Sequence, residues 1–188
     1  MQRRVTTTHL EMTSRDQLRA ARPSPIPLQL VRVEIPCPEL NRFLYATVGA
    51  RWWWYSRLSW DYGRWLTYLD RPDLETWVAL SSGTPAGYFE LEGQPDAAVE
   101  IVYFGLLPDF IGKGIGGALL TDAITRAWEM GAQRVWVHTC TLDHPQALPN
   151  YLARGFQVFR VEEVSEDLPD EPLQPWPGAN RTWDAPSV

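Results

Sequence analysis

Ile111-Gly-Lys-Gly-Ile-Gly-Gly117 is the stretch whose residue types most directly imply chemistry. It follows an apolar run ending at Leu107-Pro108 and opens the strongest amphipathic helix of the chain, expected over Gly116–Met130. Glycines let the backbone turn tightly with its N–H groups exposed, and a helix N-terminus adds partial positive charge. Together they form a nest for a phosphate or pyrophosphate. A tight strand-to-helix turn is the structural alternative. A Walker A loop is excluded, because Ala118-Leu119 follow the last glycine where that loop needs lysine and a hydroxyl. The dinucleotide fingerprint also fails, since the turn comes after residue 110 and the next strand ends in His138-Thr-Cys140 without an acid. Three histidines and two cysteines show no ligand spacing, so no metal site is expected.

Tryptophan is the second chemical signal. Five of the ten fall between Trp52 and Trp65, with Trp52, Trp53 and Trp54 consecutive. Adjacent side chains diverge on a helix or a strand, so at least one of these three must line a pocket or an interface. An aromatic cage suits a cationic or ring-bearing amine. The alternative is packing against the C-terminal extension or a second subunit, which would make the chain a homodimer. Arg51, Arg57 and Arg64 read either as contacts to an acidic group on the ligand or as a solvated helix face.

The elements that must position these residues follow from periodicity. Strands are expected at Leu28–Ile35, Thr76–Ser81, Ala86–Leu91, Ala98–Leu106, Arg134–Cys140 and Phe156–Val164. Helices are expected at Pro38–Val48, from Ser59 or Asp61 through Leu69, at Gly116–Met130 and at Pro145–Arg154. Ser82-Gly-Thr-Pro between two strands is a hairpin signal. On Ala98–Leu106, alternation predicts Val99, Ile101 and Tyr103 on one face and Glu100, Val102 and Phe104 on the other. The fold class is α/β, a mixed sheet flanked by helices. Residues 1–27 read as an N-terminal extension: a strand at Val5–Met12, a short helical piece from Ser14 and a Pro-rich linker. Residues 28–165 form the domain, and 166–188 a Pro-rich acidic tail.

Composition narrows the function. With 45% hydrophobic residues the chain has the means to build a core. Its net charge of −6, without a clustered basic face, argues against nucleic acid as a partner. No apolar run approaches the roughly 18–20 residues of a membrane span, and MQRRVTTTHLEM lacks the apolar stretch of a signal peptide. Two cysteines are too few for a disulfide framework, so a cytoplasmic setting is expected.

Two blocks resemble the GNAT superfamily of acyl-CoA-dependent N-acyltransferases over about residues 28–165. Leu106-Leu-Pro-Asp-Phe-Ile-Gly-Lys-Gly-Ile-Gly-Gly117 matches that family's pyrophosphate loop, with Gly114 and Gly116 at its two glycine positions and Ile111 where Gln or Arg is usual. His144-Pro-Gln-Ala-Leu-Pro-Asn-Tyr151-Leu-Ala-Arg-Gly155-Phe156 matches its Asn-x-x-Ala-x-x-x-Tyr-x-x-x-Gly-Phe helix, with His144 at the Asn position and Pro149 inside. The resemblance implies a mostly antiparallel central sheet. It also implies acetyl-CoA as cosubstrate, no metal, and a small-molecule primary amine as acceptor. The coenzyme would be held by Gly105, Leu106, Leu107, Ile111, Gly112, Lys113, Gly114, Ile115, Gly116, Gly117, His144 and Asn150. Tyr151 is implied as the general acid that protonates the departing thiolate, and a backbone N–H near Gly105 or Leu106 as the oxyanion donor. Glu100 is the leading base, with Glu90, Glu92 and His138 as rivals; solvated strand carboxylates and a structural histidine are the alternatives. Cys140 reads as a small buried hydrophobe. Trp53, Trp54 and Tyr62 fall where the family builds its acceptor pocket. A non-catalytic acyl-CoA sensor and a tryptophan-patch interaction protein are the competing functions.

Overall fold

The computed structural model describes residues 2–172, 174–177 and 179 of the 188. In chain order its main elements are β1 (Gln2–Met12), β2 (Gln29–Val33), α1 (Pro38–Gly49), α2 (Tyr62–Leu69), β3 (Leu74–Ser81), β4 (Thr84–Gln94), β5 (Ala98–Leu106), α3 (Gly116–Glu129), β6 (Arg134–Cys140), α4 (Ala147–Ala153) and β7 (Gln157–Asp167). The seven strands form one sheet in the order β2-β3-β4-β5-β6-β1-β7. Every neighbouring pair is antiparallel except β5 and β6. No helix among the described residues is long and apolar enough to cross a membrane.

Local chemistry sets the helix boundaries. Asp61 caps α2 by accepting from the Arg64 N–H at 2.8 Å, satisfying a donor the helix itself cannot use. Pro38 opens α1 at a position where a missing N–H costs nothing. The same logic resolves Pro149. Helix α4 begins at Ala147, later than the expected Pro145, so the proline falls in its first turn.

The sheet is covered on both faces. Leu119, Leu120, Ala123, Ile124 and Ala127 of α3 are fully buried against Phe89, Leu91, Val99, Ile101, Val135 and Val137. On the opposite face α1 and α2 contribute Leu44, Tyr45, Val48, Trp65 and Leu69, packed on Val78, Tyr88 and Leu74.

Three sequence expectations change. The alternation along β5 breaks: Glu90 pairs with Tyr103 but Leu91 pairs with Ile101, leaving Val102 as an extra residue. A bulge resets which side the following residues face. Phe104 and Leu106 therefore join Val99 and Ile101 against α3, while Tyr103 turns to the α1–α2 side. The N-terminal strand is no appendage, because β1 pairs with both β6 and β7 inside the sheet. Strand β7 runs two residues past the 165 boundary, to Asp167.

One buried ion pair ties the second face together. Glu90 is fully buried at the centre of β4, and Arg57, from the α1–α2 connection, reaches it at 2.8 Å. Asn41 donates to Glu90 Oε1 at 3.2 Å and to Thr76 Oγ1 at 2.8 Å, and the Tyr68 hydroxyl donates to Glu90 Oε2 at 3.2 Å. The Arg57 guanidinium lies 3.9 Å over the Tyr68 ring, 4.4 Å over Tyr103 and 4.9 Å over Trp60. Burial is the largest single effect and works against its charge, yet Glu90, Tyr68 and Tyr103 together more than offset it and hold the Arg57 pKa above its ordinary value. Arg57 is thus neither a ligand contact nor a solvated residue, and Glu90 is no candidate base. Glu92 is engaged too, by Arg71 at 2.9 Å.

Removing one partner from such a pair leaves an uncompensated buried charge. Arg57→Met should lower the unfolding free energy by about 3–5 kcal/mol in urea titrations. Adding Glu90→Gln to that variant should recover most of the loss, because the amide still bonds Asn41 and Tyr68 without a charge.

Candidate active site

Strands β5 and β6 pair only from Ala98–Glu100 to Arg134–Trp136. Beyond that point they part, and a cleft of about 710 Å³ opens between Ile101–Leu106 and Val137–Cys140. The unpaired backbone of β5 is its floor. Leu107 N–H donates to the Ala86 carbonyl at 2.9 Å; N–H groups of an extended chain alternate sides, so the Leu106 N–H points the other way, into the cleft. Leu107 itself does not line the cleft. Gly105 does, and a Cβ there would collide with Val48. Its glycine thus serves the approach of α1 to the strand, while the bulge lies at Val102.

After β5 the chain makes a 3-10 turn at Pro108–Phe110 and enters the glycine loop. Gly112 and Gly114 take φ of +81° and +76°, a region that disfavours side chains, and turn the loop toward the N-terminus of the 14-residue α3. Ile111, Gly112, Gly114 and Gly116 line the cleft. Lys113, Ile115 and Gly117 do not: Lys113 is exposed with its ammonium 4.9 Å over Phe110, Ile115 is fully buried, and Gly117 packs under Arg154. Asn150 lines the cleft and donates to the Gly116 carbonyl at 3.3 Å, joining α4 to the loop.

Tyr151 is buried, with its ring edge-on to Phe104 and Phe156, and lines the same cleft. Burial, with a smaller push from Asp143, raises its phenol pKa well above the ordinary value, so it stays protonated. His138 lines the cleft from β6, and its Nδ1 lies 3.2 Å from Glu100 Oε1. Glu100 is not itself part of the lining; it sits behind the histidine and accepts from Gln94 Nε2 at 2.7 Å. The two expected rivals for the base are therefore a pair. The Glu100 hydrogen bond raises the His138 pKa against the opposing effect of burial. That contact orients the imidazole with Nδ1–H toward the carboxylate and Nε2 open as an acceptor.

His144 lines the cleft, with Nδ1 accepting from the Gln146 N–H at 3.0 Å, and burial lowers its pKa. Trp52, Trp53 and Trp54 all line it, with Trp52 edge-on to His144 and Trp54 packed on Tyr45 and Tyr103. Trp53 holds a left-handed φ of 55°, uncommon for a bulky residue and frequent at functional sites. The indoles are thus cleft wall rather than a free surface patch. Tyr62 stands apart: it is 59% exposed at the start of α2 and outside the cleft.

Sequence reasoning missed Asp143, Glu166, Val5, Thr7 and Leu168, all part of the lining. Asp143 Oδ2 accepts from Thr139 Oγ1 at 2.7 Å and Cys140 N–H at 3.0 Å, while Oδ1 lies 3.5 Å from the Trp54 indole nitrogen. An acid three residues beyond a strand end is a turn-capping signal that could have drawn notice. Cys140 also lines the cleft; burial and Asp143 push its thiol pKa up.

A parallel pair that splays beside a glycine loop and a helix N-terminus places this cleft in a mixed α/β sheet flanked by helices. The Acetyltransferase (GNAT) family model matches residues 38–156, and this chain belongs to that family. A mycothiol acetyltransferase from Corynebacterium aurimucosum is 28% identical over 163 residues, covering 75% of this chain and 53% of the relative. The chain thus spans about half the length of that curated relative. Among solved structures, a GCN5-related N-acetyltransferase from Kribbella flavida aligns with a TM-score of 0.63 at 18% identity, covering 85% of this chain and 56% of that one. A GCN5-related N-acetyltransferase from Sphaerobacter thermophilus aligns at 0.60 and 18% identity, over 86% and 50% of the two chains.

The His138–Glu100 contact has a measurable consequence. Glu100→Gln should move the His138 ring titration, followed by NMR, down toward the ordinary histidine value. Because the folded pKa is raised, the contact stabilises the fold fully below about pH 6.5 and loses that effect as pH climbs through the folded value. The stability gap between wild type and Glu100→Gln should shrink over the same window.

Proposed function

We propose that this chain transfers the acetyl group of acetyl-CoA to the primary amine of a small molecule by direct attack. The observation that carries the proposal is the convergence, in one cleft, of the glycine loop at the α3 N-terminus, the open backbone of β5, Tyr151 and His138. The cleft fits the coenzyme on structural grounds: positive-φ glycines clear space for the pyrophosphate, and the divergence of β5 from β6 leaves an unpaired edge for an extended arm. When bound, acetyl-CoA supplies the acyl thioester.

Gly112, Gly114 and Gly116 then present backbone N–H groups and the α3 dipole to the pyrophosphate. The Leu106 N–H bonds the coenzyme's arm or stabilises negative charge developing on the thioester carbonyl oxygen. His138 Nε2 accepts the proton that the attacking amine must lose, while Glu100 holds the ring in the required tautomer. As the N–C bond forms and the C–S bond breaks, Tyr151 gives its proton to the departing sulfur. A raised phenol pKa suits that role because the proton stays in place until a thiolate takes it. Asn150, His144 and Ile111 complete the coenzyme wall, and Trp53 and Trp54 face the acceptor.

Calorimetric titration with acetyl-CoA should show one site, and absence of binding at millimolar coenzyme would sink the reading. Gly114→Val forces a β-branched residue into a left-handed turn and should weaken that binding about ten- to hundredfold, the size of one lost charge-assisted hydrogen bond. Tyr151→Phe keeps the ring and should slow transfer by roughly 10²–10⁴-fold with coenzyme affinity little changed. Wild-type turnover by that variant would assign the acid elsewhere.

A further inference from the structure

The cleft carries more charge than the proposed reaction uses. Among the described residues its lining includes two carboxylates, Asp143 and Glu166, and no lysine or arginine. Asp143 is largely engaged by Thr139, Cys140 and Trp54. Glu166, near the end of β7, is exposed and forms no ion pair with a described residue. The cation opposite it on the β1–β7 ladder, Arg3, donates instead to the Asp170 carbonyl at 2.8 Å and lies 5.1 Å over the Trp53 ring, outside the lining. Trp53 therefore already carries one cation over its ring, as the electron-rich face of an indole should.

Position decides what Glu166 can do. A carboxylate beside the reacting nitrogen would hold the very proton that must leave. Glu166 is distant from that nitrogen: on the β1 ladder its partner is Arg3, whereas His138 pairs with His9. Six residues of strand span at most about 20 Å. We propose that the acceptor carries a second, non-reacting cationic group at the far end of a long chain. Glu166 and the Trp52–Trp54 wall hold that group while the neutral amine end meets His138. The substrate class is a long diamine or polyamine. The identity of the reacting end rests on the acetyl-transfer reading above.

The test compares 1,8-diaminooctane with 8-amino-1-octanol, which have equal length and differ only in the charge of the far end. The diamine should show a KM about five- to tenfold lower, the size of one exposed charge pair with a cation–π contact. Glu166→Gln should raise the diamine KM by that factor with little change in its kcat, and move the aminoalcohol KM much less. The shorter 1,4-diaminobutane should gain less from its second charge than the eight-carbon chain. Equal KM values in the wild type, or an equal effect of Glu166→Gln on both ligands, would overturn the proposal. Calorimetry separates the two readings. If acetyl-CoA binds and 1,8-diaminooctane neither binds nor reacts, this inference fails alone. If acetyl-CoA does not bind, acetyl transfer fails, and binding of 1,8-diaminooctane to the free protein, weakened by Glu166→Gln, still decides this one.

Discussion

The Arg57–Glu90 pair is the constraint on which the cleft depends. A carboxylate at the centre of a packed sheet is costly to bury unless a partner and further hydrogen bonds compensate it. Here the partner comes from the connection between α1 and α2, the same connection that carries Trp52, Trp53 and Trp54. Meeting the electrostatic demand of Glu90 therefore fixes Arg57, and the aromatic rings around its guanidinium fix the path of the loop. Tyr103 and Tyr45 serve both sides of this arrangement: Tyr103 stacks under Arg57, and both rings pack against Trp54. The cleft wall is thus tied to a charge pair that lies outside the cleft.

The second determinant is a departure from regular pairing. The single extra residue at Val102 turns Tyr103 toward the tryptophan loop and Phe104 toward Tyr151. Regular alternation would have placed these two aromatic residues on the opposite faces. Beside the bulge, β6 stops pairing with β5 after Trp136, so backbone groups that a continuous sheet would consume stay available. One bulge and one early end of a ladder thus supply both the aromatic walls and the polar floor.

Strand β1 and the end of β7 also contribute to the cleft wall. Val5 and Thr7 from β1, with Glu166 and Leu168 from β7 and beyond, line it there. The glycine-loop side is built from backbone groups, glycines and α4. The other side is built from indoles, a histidine backed by a carboxylate, and acidic side chains. Backbone cradles suit a ligand common to many enzymes, whereas side-chain walls are where one chain's selectivity resides.

What the sequence determined by itself is local. Glycine spacing, the apolar stripe of α3, the Asp61 cap and the Tyr151 block depend on near neighbours, and the helices and most strands lie where periodicity placed them, within a few residues. The glycine loop and Tyr151 were legible for the same reason. The tertiary structure decided everything that depends on residues far apart in the chain. It brought Glu100 into contact with His138, and made Arg57 the counterion of Glu90 rather than a ligand contact. It left Tyr62 in solvent and brought Glu166 into the cleft. The strand at Gln2–Met12 was recognisable, but its place between β6 and β7 was not, because backbone hydrogen bonds carry no sequence label. Pairing partners are chosen by which faces can be buried together, and that choice belongs to the assembled sheet rather than to any stretch of residues.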